Sequence, residues 1–102
     1  MAYVSEHARR RGKQRLGIPQ RALARLVPIV LAKGTRPSDY RGRMRRWLDG
    51  ILHDPLYAMK RGTDSVDLRV YGEHVYLFGK DSGQGLITIL NVPGSLRAAV
   101  KR

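Results

Sequence analysis

With 102 residues, 42% of them hydrophobic, the chain has room for one domain with a modest core and is too apolar for a wholly disordered chain. It carries twenty Lys/Arg against eight Asp/Glu, a net charge of +12, and no cysteine, which excludes disulfides, thiolate catalysis and cysteine-ligated zinc. No apolar run approaches the ~20 residues of a membrane span. None follows the basic N-terminus at signal-peptide spacing, so a cytoplasmic protein without a membrane partner is expected.

The charge is uneven. Residues 1–62 hold fifteen Lys/Arg against four Asp/Glu, or +11, and residues 63–102 hold five against four, or +1. One basic half points to a polyanionic partner, most often nucleic acid. The cations are mostly arginine, which suits bidentate phosphate contacts.

Ser5 is a good N-cap and Glu6 suits a first helical turn, so a helix is expected from about Glu6 to Leu16, stopped by Gly17. Gly12 weakens it by about 1 kcal/mol relative to alanine. A second helix starts at Pro19, places Leu23, Leu26, Val27 and Val30 on one face, and ends at Lys33-Gly34, with a kink at Pro28. Ser38 caps a third helix to about His53, ended by "HDP". Its buried stripe is Tyr40, Met44, Trp47, Leu48 and Ile51, and Arg41, Arg43, Arg45 and Arg46 fall mainly off it, on a solvated or phosphate-contacting face.

After Gly62 the period changes to two. "VDLRVY" sets Val66, Leu68 and Val70 on one side and Asp67, Arg69 and Tyr71 on the other. "GE" turns the chain into "HVYLFGK", apolar on both faces. "DSGQG" is a loop, "LITILNV" a third strand closed by Pro93-Gly94, and the tail forms one or two helical turns or frays. The fold class is α+β in a single domain over residues 1–102. About three N-terminal helices fill a basic segment 1–55, an antiparallel three-stranded meander occupies 66–93 and buries one face on the helices, and a short tail spans 94–102. "MKRGTDS" is too short to separate two domains.

Compact catalytic signatures are absent: no phosphate-binding glycine loop follows a strand, His7, His53 and His74 lie far apart, and acids are few, so neither a metal nor a cofactor is expected. RNA cleavage can run on such a toolkit, because histidine can move protons near neutrality and arginine can hold the charge that develops on the phosphorane. On a helix, His7, Arg10, Arg11, Gln14 and Arg15 form one polar stripe. Arg69, Tyr71, Tyr76 and Thr88 are the polar members of the strands. "SEHARRRGKQRLG", "RVYGEHVYLFG" and "LITILNVP" together resemble small phage-encoded relatives of the barnase, colicin and RelE group of ribonucleases. In that group N-terminal helices precede an antiparallel sheet bearing the RNA site, and cleavage is metal-free. The resemblance implies His7 as proton-transfer residue, Arg11 and Arg15 as phosphate ligands, Thr88 as a hydroxyl near the scissile phosphate, and Tyr76 as a further member.

The expectation is therefore a metal-independent endoribonuclease, toxin-like or phage-borne, acting on tRNA or mRNA. Arg9, Arg10, Lys13, Arg41, Arg45, Arg46 and Arg69 are the candidate nucleic-acid contacts. The alternatives are a non-catalytic RNA- or DNA-binding regulator and a module whose basic face meets an acidic protein. A helix-turn-helix is not expected, because "GTRPS" exceeds its tight turn and the third helix spends Met44 and Trp47 on a core.

Overall fold

The computed structural model describes residues 6–53, 66–79 and 85–100, with the backbone alone for residues 6, 7 and 9. The Ser5 cap, the "MKRGTDS" segment, Asp54-Pro55 and most of the "DSGQG" loop lie outside the described residues. In chain order come α1 (Glu6–Leu16), α2 (Gln20–Lys33), a 3-10 turn (Pro37–Asp39), α3 (Gly42–Leu52), β1 (Val66–Tyr71), β2 (His74–Gly79), β3 (Gly85–Asn91) and a terminal 3-10 helix (Gly94–Ala99). Helices precede an antiparallel sheet in the order β1-β2-β3, the α+β arrangement that the change of period indicates.

α1 turns Ala8, Gly12 and Leu16 inward at intervals of four, so one helical face meets the interior. A Cβ on Gly12 would stand 2.8 Å from Cδ2 of Leu23, so the residue that costs helix propensity also lets α1 close on α2. α2 buries Leu23, Val27 and Val30 and runs uninterrupted through Pro28, which sits on its exposed side.

The third helix begins at Gly42, later than Ser38 suggests. Asp39 is the reason. Its Oδ2 accepts the Arg36 N–H at 2.8 Å, and the N–H groups of Asp39 and Tyr40 donate to the carbonyls of Arg36 and Pro37, closing a 3-10 turn around Ser38. Tyr40 and Arg41 are then extended. Tyr40 swings into the core, with its hydroxyl 2.6 Å from Oγ1 of Thr35.

Along the sheet, Arg69, Tyr76 and Ile89 stand in line on one face, and Leu68, Leu77 and Thr88 on the other. The register shifts between Leu77–Thr88 and Phe78–Leu86, so Ile87 is an extra residue that turns Leu86 to the face of Phe78. The sequence suggests one buried face, but both are covered. Ala8, Leu23, Val27 and Val30 of α1 and α2 close over Tyr76, Phe78, Leu86 and Ile89. Met44, Leu48 and Ile51 of α3, with Leu96, close over Leu68, Val70, Val75 and Leu77.

The chain passes between these two layers at Gly34-Thr35. Thr35 and Val70 exchange both backbone hydrogen bonds at 2.8 Å, so Thr35 caps the open edge of β1. A Cβ on Gly34 would lie 2.5 Å from the Val30 carbonyl oxygen and 2.9 Å from the Arg69 Cβ, so only glycine fits without backbone movement. Gly34→Ala is expected to lower unfolding free energy by about 1–3 kcal/mol, the usual cost of overpacking. Tyr40→Phe, which removes the hydroxyl from Thr35, should cost about 1 kcal/mol. Urea titration checks both, and a wild-type midpoint for Gly34→Ala would show that the crossing is not tight.

Candidate nucleic-acid interface

Because α1 faces the sheet with Ala8, Gly12 and Leu16, its cations are left outside: Arg10, Lys13 and Arg15 are exposed and Arg11 is half-exposed, with its Nη1 donating to Gln14 Oε1 at 3.1 Å. α2 adds Arg21, Arg25 and Lys33, all exposed and all off the Leu23/Val27/Val30 stripe. From His7 to Ser38 the chain has nine Lys/Arg and no Asp or Glu. Three described acids pair with cations outside this layer. Asp49 holds Arg45 at 3.1 Å, Asp67 holds Arg69, and Glu73 lies 3.8 Å from Arg97. The α1–α2 layer therefore concentrates like charge on one face of the sheet.

The residues singled out in the sequence scatter over this frame. His7 and Arg9 lie in the first turn of α1, with side chains outside the described residues. Arg41 and Arg46 are exposed on the opposite side of the sheet, and Arg45 there is engaged by Asp49. Arg69 is turned inward rather than outward, 4% exposed, donating to Asp67 and to the Leu68 carbonyl, so its guanidinium is not offered to a ligand. Tyr76 and Thr88 are each 1% exposed and point to opposite faces, Tyr76 under α1 and α2 and Thr88 toward α3. They do not meet on one surface. Alternation suggests a solvated polar face, and the second helical layer covers that face instead.

Burial pushes the Tyr76 phenol up to about 12, with nearby Tyr71 adding to the shift, so the hydroxyl keeps its proton at neutral pH. His74 sits at the hairpin end of the sheet, in register with Tyr71 and Asn91, and hydrogen-bonds the Arg15 backbone at the end of α1. Burial lowers its pKa below 6.5 and Arg97 and Arg15 act in the same direction, against the Arg15 backbone hydrogen bond and Glu73. In the sequence His74 stands out only as one of three scattered histidines and Lys33 only as a helix end, while Arg21 and Arg25 carry no mark of their own. The helical cations could have been found from their place off the apolar stripe, whereas His74 needed the register. No family model, curated protein or solved structure matches the chain.

The direction at His74 fixes a pH dependence. Its folded pKa is below its unfolded value, so between the two the unfolded chain binds more protons, and this part of the stability is full above about pH 6.5 and lost as pH falls. Urea midpoints should decline from slightly alkaline to mildly acidic pH, and His74→Gln should flatten that decline. Identical pH profiles for the two proteins would remove His74 as the source.

Proposed function

We propose that the protein binds double-stranded nucleic acid through the α1–α2 layer, holding the sugar-phosphate backbone without cleaving it. One observation carries this: from His7 on, two adjacent helices hold eight Lys/Arg and no acid, and their described cationic side chains are exposed or, at Arg11, half-exposed. Neutralising phosphates releases condensed counterions, which supplies affinity without reading bases. Duplex is favoured over single strands because the stretch from Val4 to Asp39 contains no Phe, Tyr or Trp. Single-strand binders gain about 1–3 kcal/mol per base from aromatic stacking, which this surface has no side chains to supply.

The ribonuclease alternative needs a proton-transfer group and the hydroxyls of Tyr76 and Thr88 on one accessible surface. Their burial on opposite faces supports binding over cleavage. Fluorescence anisotropy with a short duplex and its separated strands should show tighter binding to the duplex. The log–log dependence on salt should be steep and linear. Changing Arg21 and Arg25 together to Gln should reduce the salt slope by about 2, near 0.9 per lost phosphate contact. Cellular RNA incubated with the protein and EDTA should stay intact. Degradation that disappears in a His7→Ala variant would restore the ribonuclease reading, and salt-independent binding would defeat the electrostatic one.

A further inference from the structure

We infer that the protein bridges two duplex segments, one on the α1–α2 layer and a second on the outer face of α3. This rests on the reading of α1–α2 as a duplex-binding layer. The sheet lies between the two, because Tyr76, Phe78 and Ile89 face α1 and α2 while Leu68, Val70 and Leu77 face α3. α3 turns Met44, Leu48 and Ile51 to the sheet, so Arg43, Arg46 and Gly50, at i, i+3 and i+7, point away from it, and Arg41 precedes them at the N-cap. Arg41, Arg43, Arg46 and Gly50 are all exposed.

The nearby acids among the described residues are already engaged. Asp49 accepts from Arg45 Nε through both oxygens at 3.1 Å, and Asp39 accepts the Arg36 N–H. The cations of this face are arginines, whose planar fork matches phosphate oxygens. A Cβ on Gly50 would meet nothing within 4 Å, so no packing demand explains a glycine in the middle of an exposed helical face, where it weakens the helix. It leaves the backbone bare, with room for a phosphate strand to lie close beside Arg43 and Arg46.

One straight duplex cannot touch both layers. The Cα envelope measures 34 × 28 × 22 Å, and duplex DNA has a persistence length of ~50 nm, so wrapping around so small a body is strongly opposed. Two separate segments satisfy both faces without bending, and tethering them raises the local concentration of each for the other.

The test uses a biotinylated duplex on beads, a fluorescent duplex in solution, and the full chain at constant salt. Wild type should capture the fluorescent duplex about tenfold above a protein-free control. A variant carrying Arg41→Gln, Arg43→Gln and Arg46→Gln should fall to background, while its anisotropy titration still shows salt-dependent binding of one duplex through α1–α2. Wild type that binds one duplex yet captures no second overturns bridging and leaves the α1–α2 reading standing. Capture by the triple variant at the wild-type level also overturns it, since the two duplexes would then be joined through contacts between copies of the chain. Failure to bind any duplex in the anisotropy titration removes both readings.

Discussion

The crossing at Gly34-Thr35 is the constraint on which the rest of the molecule depends. Thr35 pairs with Val70 on the free edge of β1, and its hydroxyl meets both Tyr40 and the Val70 carbonyl. That pairing fastens the connection where it leaves one side of the sheet for the other. Everything before it, α1 and α2, closes one face. α3 after it closes the opposite one. Without a fixed crossing point the helices would have no reason to divide, and the strands would keep one wet face. The close approach of Gly34 to Val30 and Arg69 is thus what gives so short a chain two cores instead of one.

The same division explains what could be read from the residues beforehand. Hydrophobic period located the helical stripes and the strands, because Leu23, Val27 and Val30, or Val66, Leu68 and Val70, repeat at intervals that only one regular backbone satisfies. α3 starts later than the cap-like Ser38 suggests, because Asp39 spends its carboxylate on Arg36 and holds Ser38 inside a 3-10 turn. The burial of the strand polar residues has a longer-range cause. Arg69 and Tyr76 look like a solvated face only if one layer of helices is assumed, and Thr88 stands on the other face. Arg69 tolerates burial by bonding Asp67, two residues away on the same face. The bulge at Ile87 also rephases β3, so residues before and after it do not follow one alternation. No local pattern announces any of these.

For the charge, the consequence is a change of kind. In the sequence the basic half is one block. Among the described residues it becomes two surfaces with a neutral, apolar slab between them, and three acids pair with individual arginines at α3, β1 and the β1–β2 hairpin. The pairs at Asp49 and Glu73 are exposed and contribute little to stability. Their larger effect is to leave the α1–α2 layer without a counter-charge from those groups.

The position of α1 over β3 carries a consequence for how the protein is made. The hairpins of the meander join neighbours in sequence, whereas Ala8 shares a core with Leu86 and Ile89, nearly the whole described chain away. A chain emerging from the ribosome N-terminus first exposes the cationic segment before the strands and cannot seat it until the last strand exists, and such distant contacts are the slowest to close. The most basic segment therefore spends synthesis undocked in the most RNA-rich surroundings of the cell, and its final docking reports that the sheet is complete.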